Sequence, residues 1–204
     1  MAAAKKPELI EVPGIAAEIY VERSVRKTLS AKVTAEGRIR VGAPVGLPVS
    51  EIIRFLREHA AKLDQVSRKQ RETVRKAAAQ PLSFSELQRL ADEACKVIPG
   101  RVKHYAALLG VTYGKITVRN QKTRWGSCSA QGNLNFNCLL MLAPPQVLDS
   151  VVVHELCHRL EMNHSKAFYA HVYRVFPEYD RWHAWLKEHG QELLQRMQTG
   201  AGIE

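Results

Sequence analysis

The chain has 204 residues, 46% of them hydrophobic and 25% charged, enough for one sizeable core or a core with a small appended unit. No run approaches ~18 consecutive apolar residues, which argues against a membrane-spanning helix, and "MAAAKKPELIEVPG" lacks the apolar stretch of a secretory signal, so the expected location is cytoplasmic. The net charge of +10 is uneven: Lys and Arg outnumber Asp and Glu 16 to 9 in residues 1 to 80 and 8 to 3 in residues 81 to 140, whereas residues 141 to 204 carry 6 against 8. Cys95, Cys128, Cys138 and Cys157 form no C-x-x-C pair, which disfavours a zinc ribbon or a secreted disulfide framework and leaves reduced thiols as the expectation.

In chain order, residues 15 to 41 alternate apolar and polar positions in short runs with a turn at Glu36-Gly37, and predict two or three antiparallel strands. Pro44 and Pro48 close that unit. Ser50 is the expected cap of a helix in which Ile52, Ile53, Leu56, Ala60 and Leu63 recur at helical spacing, before the apolar face gives way to the charged extension "SRKQRETVRKAAAQP". Residues 83 to 109 predict two helices broken at Pro99-Gly100, the first opened by a Ser83 and Glu86 capping box. "GKITVRN" and "GNLNFNC" predict strands on either side of the loop "QKTRWGSCSAQ". Pro144 and Pro145 suit the first turn of a helix whose buried face is Val147, Leu148, Val151, Val152, Leu156 and Leu160. The remainder is helical with an interruption at Pro177. The expected class is α+β: a small antiparallel β unit at the N-terminus, a connecting helix, and a C-terminal unit with a short sheet and a histidine-bearing helix. The expected division is residues 15–80, basic and β-rich, and residues 81–198.

The stretch "VVVHELCHRLEMNHSKAF" carries the chemistry. His154 and His158 are four apart, about 400° around a helix, so both imidazoles leave one face and can meet one ion. Glu155 is offset from His154 by about 100°, which in an H-E-x-x-H helix puts its carboxylate beside the ion, where a general base is needed. A catalytic zinc usually takes three protein ligands, so a third must follow; Glu161, His164, His171 and Glu178 are candidates. His164 is preferred because Asn163 before it tolerates the left-handed conformation that reverses a chain, whereas Glu161 sits one turn beyond His158. The spacing H-E-x-x-H-x5-H is similar to that of metzincins, with Glu161 where they have glycine and no convincing Met-turn.

The segment from Thr123 to Tyr179 strongly resembles the YgjP-like metallopeptidase domain, a family related to the WLM and SprT zinc peptidases. The resemblance rests on Trp125 to Cys128 (W-G-S-C), His154 to His158 (H-E-L-x-H) and Asn163 to Phe168 (N-H-S-x-x-F), and with "RSVRKT" and "VGAP" it covers roughly residues 20 to 190. It implies a zincin-like C-terminal unit, Zn2+ held by His154, His158 and His164, Glu155 as the catalytic glutamate, and a peptide or protein substrate.

Other residues invite weaker assignments. Asn133, Asn135 and Asn137 alternate with Leu134, Phe136 and Cys138, as in an edge strand that pairs with an extended peptide, making Asn135 and Asn137 candidate substrate-binding residues. Arg124 is a candidate partner for a substrate carboxylate or phosphate, and Tyr169 or Tyr173 for an oxyanion. Trp125 and Cys157 read as core residues, and His171, His183 and His189 as structural or surface histidines. Residues 1 to 140 together carry 24 Lys and Arg against 12 Asp and Glu, including Arg23, Arg26, Lys27, Lys32, Arg38, Arg40, Arg68, Lys69, Arg71, Arg75 and Lys76, a density able to neutralise phosphates. The alternative to a peptidase is therefore a nonenzymatic, zinc-stabilised module that binds nucleic acid. Glu155 favours the enzyme, since a closed structural site has no use for an acid beside its first histidine.

Overall fold

The computed structural model describes residues 7–200, so the Lys5-Lys6 pair of the N-terminal segment lies outside them. The chain divides into two compact units at Lys76 and Ala77. In the first, β1 (Glu8–Ile10), β2 (Ile19–Ser24), β3 (Ser30–Val33) and β4 (Ile39–Pro44) form a sheet in the order β1-β2-β4-β3. The pairs β1/β2 and β3/β4 are antiparallel, and a parallel pair, β2/β4, lies at the centre with Ile19 opposite Ile39 and Val21 opposite Val41. That register puts Ile19, Val21, Ile39, Val41 and Ala43 in one buried layer, covered by Ile52 and Leu56 of α1 (Val49–Glu58).

Pro48, not Ser50, stands at the cap of α1, two residues before the expected one, and it makes no side-chain cap bond. The charged extension continues as α2 (Ala60–Ala79). Its register against the sheet comes from polar anchors: Ser67 and Gln70 donate to the carbonyls of Gly37 and Ala35 in the β3–β4 turn. Gly37 has φ +81°, and a Cβ there would meet the Ser67 carbonyl at 2.9 Å, so the turn requires glycine twice over.

The second unit is built around α4 (Pro145–Cys157), started by Pro144 and Pro145 as expected. α3 (Phe84–Leu109), β5 (Ile116–Arg119), β6 (Gly126–Cys128), β7 (Leu134–Asn137), a 3-10 turn (Cys138–Leu142), α5 (Lys166–Val175) and α6 (Tyr179–Gly200) complete it. The Ser83 and Glu86 capping box opens α3 as expected, with Ser83 N–H donating to Glu86 at 2.8 Å and Gly110 closing the helix at φ +71°. The predicted break at Pro99 is absent. A proline inside a helix costs ~3 kcal/mol, and here the stripe Leu90, Ala94, Ile98, Val102, Tyr105 and Leu109 is buried on both sides of it, each large side chain contributing about 1.5–3 kcal/mol.

Helix α4 is buried nearly all round, because it is the central helix: Asp149, Ser150, Val153 and Glu155 are buried together with the expected Val147, Leu148, Val151, Val152 and Leu156. Leu160, assigned to the same face, is instead exposed, since α4 ends at Cys157. The loop between β5 and β7 contains the unpredicted strand β6, which pairs antiparallel with β7; the sheet order is β5-β7-β6, with β5 and β7 parallel.

Asp149, buried on α4, receives a two-pronged ion pair from Arg101 of α3. Replacing Arg101 with Met orphans that carboxylate and is expected to cost about 2–3 kcal/mol in urea unfolding, whereas Arg101→Met with Asp149→Leu should recover most of the loss. A double variant as unstable as the single one would assign the loss to packing rather than to the charge.

Candidate metal centre

His154 lies in the last turn of α4 and His158 caps its C-terminus. The helical hydrogen bonding runs on through Arg159 N–H to the Leu156 carbonyl and Glu161 N–H to that of Cys157, after which the chain bends at Met162 and Asn163. Asn163 is not left-handed, and no described non-glycine residue has positive φ, so the expected reversal mechanism is replaced by this bend. Ser165 caps α5 by accepting from Phe168 N–H at 3.2 Å, which places His164 at the loop's end, facing back toward α4.

The three imidazoles converge: one ring nitrogen from each of His154, His158 and His164 can be chosen so that all lie within 4.8 Å of one another. Among the described residues no fourth His, Cys, Asp or Glu joins them. Glu161, His171 and Glu178 are thus outside the group, and Glu178 is exposed and paired with Arg181. His164 Nε2 lies 3.0 Å from His154 Nε2, close to the ~3.3 Å kept by two nitrogens that sit ~2.0–2.1 Å from one tetrahedral zinc. The donor set therefore fits a borderline metal such as zinc.

Two of the three rings are oriented through the other nitrogen. His158 Nδ1 faces the Glu161 carbonyl at 3.1 Å, and His154 Nδ1 faces the Tyr179 hydroxyl at 2.8 Å, which leaves both Nε2 atoms for the centre. Phe168, fully buried, lies against all three rings with centroid distances of 5.0, 4.8 and 4.9 Å to His154, His158 and His164. Burial, reinforced by the neighbouring histidines, pushes the His154 pKa down to about 3, and burial also lowers that of His158. Neutral imidazoles with free lone pairs are the form that ligates a cation.

Glu155 is only 6% exposed and points along β6. A Cβ at Gly126 would come within 2.7 Å of Glu155 Oε1, so this close approach needs glycine at that position. Burial pushes the Glu155 pKa up to about 7, opposed by the charge of Arg124. Two openings flank the carboxyl. One, of about 350 Å3, is lined by Ser127, Cys128 and the three histidines; the other, of about 230 Å3, by Trp125, Val151, Tyr179, His183 and Leu186. Arg124, Gly126, His154 and Glu155 line both.

The remaining candidates separate. Strand β7 is central rather than an edge, so Asn135 and Asn137 do not offer a free edge to a peptide. Asn137 is fully buried, donating to the carbonyls of Gln121 and Arg124 and accepting from Leu139 N–H, and the Asn135 amide donates to Ser127 at 3.2 Å. The free edge on this side belongs to β6. Arg124 is exposed at the mouth of both openings. Tyr169 is half-buried with its ring 6.5 Å from that of His164, while the Tyr173 hydroxyl donates to Asp180. Trp125 packs against the core as expected, and Cys157 is buried with its thiol pushed up to about 12.

The contacts of Phe168 and Tyr179 with the histidines were not anticipated from the sequence. His183, read as structural or surface, is structural: it stacks on Tyr179, with centroids 5.1 Å apart, beside the site. In the first unit, Arg23, Arg38, Arg40, Arg68 and Lys76 each stand within 4 Å of a carboxylate, so these five cations are ion-paired within the chain while the excess of positive charge counted from the sequence is unchanged.

A family model described as YgjP-like, metallopeptidase domain, matches residues 85–189. Among solved structures, the chain is similar to the metallopeptidase zymogen of Pyrococcus abyssi abylysin, at 23% identity and TM-score 0.40, covering 45% of this chain and 96% of that one. It is also similar to the zymogen of Methanocaldococcus jannaschii jannalysin, at 20% identity and TM-score 0.41, covering 45% and 94%. No curated protein matches.

A carboxyl whose pKa is raised by folding binds its proton more tightly in the native than in the unfolded state, so it costs stability as pH rises from about 4.5 to about 7. In protein freed of metal by chelation, Glu155→Gln is therefore expected to gain on wild type across that range, by on the order of 3 kcal/mol. The wild-type minus variant difference is the quantity to measure in urea unfolding, because the buried histidines titrate alike in both. A difference that does not change with pH would mean the carboxyl is hydrated.

Proposed function

The chain belongs to the YgjP-like metallopeptidase domain family, and we propose that it hydrolyses peptide bonds with one zinc ion held by His154, His158 and His164 and with Glu155 as the general base. The observation that carries this reading is the position of Glu155: a buried carboxyl with no salt-bridge partner, at the lip of a three-nitrogen cluster that no fourth protein ligand closes among the described residues. A bound zinc would supply Lewis acidity, polarising the scissile carbonyl and lowering the pKa of a water to ~7.

The chain's own groups do the rest. Glu155, raised into the range where it can hold and release a proton near neutrality, takes the proton of the attacking water and returns it to the leaving amine. Its backbone surroundings accommodate it there, since Gly126 admits the carboxyl against β6. Extended substrate fits along β6, whose outer edge borders the opening that contains the histidines, so main-chain hydrogen bonds would align the scissile bond with Glu155. Arg124, at the mouth of both openings, is placed to meet a substrate carbonyl or carboxylate.

The test combines metal analysis with cleavage of a mixed peptide library. Glu155→Gln should retain one zinc per chain and lose at least ~10²-fold in kcat. His164→Ala should lose zinc; unchanged zinc content in that variant would remove His164 from the ligand set. Retained cleavage in Glu155→Gln would remove the glutamate from its role.

Tyr179→Phe provides an independent check on how the first ligand is held. Without the hydroxyl, His154 Nδ1 loses its partner, and zinc affinity measured by competition with a chelator should fall about 10–100-fold while the far-UV spectrum and Glu155 titration stay unchanged.

A further inference from the structure

The opening on the far side of Glu155 from His158 has a composition that selects its guest. It is a cleft of about 230 Å3 between α4, α6 and the segment before β6, walled by Trp125, Val151, Tyr179 and Leu186. Among its polar side chains, Ser150, His154, Tyr179 and His183 are already engaged with one another or with the backbone. Ser150 donates to the Val147 carbonyl at 2.7 Å, and the Tyr179 hydroxyl faces His154 Nδ1 at 2.8 Å and His183 Nδ1 at 3.4 Å. A guest that set its own hydrogen-bonding or charged group against the Trp125, Val151 and Leu186 walls would leave that group unpaired, at the cost of desolvating it. Arg124, the cationic side chain on the lining, is exposed and therefore stands at the mouth.

Size narrows the class further. The volume is below the ~300–1,000 Å3 of pockets that engulf drug-sized ligands, and suits one bulky side chain. The floor is rigid: the Trp125 indole rests on Gly190 so closely that a Cβ there would lie 3.0 Å from indole Cζ2. The mouth is shared with the catalytic cleft through His154, Glu155 and Gly126, so a side chain in the pocket belongs to a residue next to the bond being cut.

We infer that this cleft is the specificity pocket of the enzyme and takes a large apolar side chain not branched at Cβ, such as Leu, Met or Phe, from a residue flanking the scissile bond. The inference rests on the peptidase reading and names its substrate class. Val151 and Leu186 are the residues that set the pocket's depth; neither takes part in metal holding or proton transfer.

The experiment uses the full-length, zinc-loaded protein and a peptide library randomised on both sides of the cleavage position. Wild type should prefer Leu, Met or Phe over Ala, Asp and Lys at one flanking position by about 10–100-fold in kcat/KM. Val151→Phe fills the pocket and should turn that preference toward Ala and Gly, while Leu186→Ala deepens it and should favour Phe and Trp. The readout is the rank order within each variant, which a general loss of fold or activity does not reorder. Zinc-dependent cleavage without an apolar preference, with a preference for charged residues, or with the same rank order in all three proteins overturns the inference and leaves the peptidase reading intact. Absence of zinc-dependent cleavage by wild type brings down both.

Discussion

Three imidazoles must present neutral nitrogens to one point, and nearly every feature of the second unit follows from that requirement. Helix α4 supplies two of them because a four-residue spacing stacks side chains on one face, but it stops at Cys157, so the third must come from chain that has turned back. Phe168 lies under all three rings and gives them a common floor, while the Glu161 carbonyl and the Tyr179 hydroxyl take the Nδ1 side of two of them. A cluster of this kind needs neutral rings, and burial favours them at two of the three: desolvation is the leading cause of the depressed pKa at both His154 and His158.

The same desolvation acts on Glu155 with the opposite consequence. It raises a carboxyl and lowers an imidazole, so one dry environment favours the neutral forms of Glu155, His154 and His158 alike in the metal-free molecule. A divalent cation beside Glu155 favours the carboxylate, which makes metal binding and ionisation of the base mutually supportive. Buried carboxyl and glycine strand are thus one device. Only a strand with no side chain at residue 126 can lie against that carboxyl, and the same strand is an edge of its sheet among the described residues.

Much of this was legible in the sequence, and the misses have physical causes. The H-E-x-x-H spacing, the Ser83 box and Pro145 at a helix start are local rules that tertiary context did not override. The third histidine was placed for the wrong local reason: Asn163 has ordinary backbone angles, and the reversal comes from a bend completed by the Ser165 cap. Pro99 reads as a breaker because its cost is local, whereas the compensating burial of α3 is spread over 26 residues. Strand β6 is three residues long and half-buried, too short for any periodicity to announce, and its presence is what demotes Asn135 and Asn137 from an edge to a central strand. Tyr179 and His183 were invisible because their role depends on how α6 crosses α4, which no spacing within either helix reveals.

That crossing carries the last step of the argument. Along α6, Tyr179, His183, Leu186 and Gly190 succeed one another at intervals of four, three and four, one stripe of a helix. Tyr179 holds His154, His183 partners Tyr179, Leu186 walls the apolar cleft, and Gly190 seats Trp125. Further on, Leu193, Leu194 and Met197 are buried. A shift of α6 by one residue would turn this whole stripe by about 100°, removing the partner of a metal-facing histidine and the wall of the cleft at once. The orientation of the imidazole and the shape of the cleft are therefore set by the same packing, and the buried end of α6 is what keeps that packing in register.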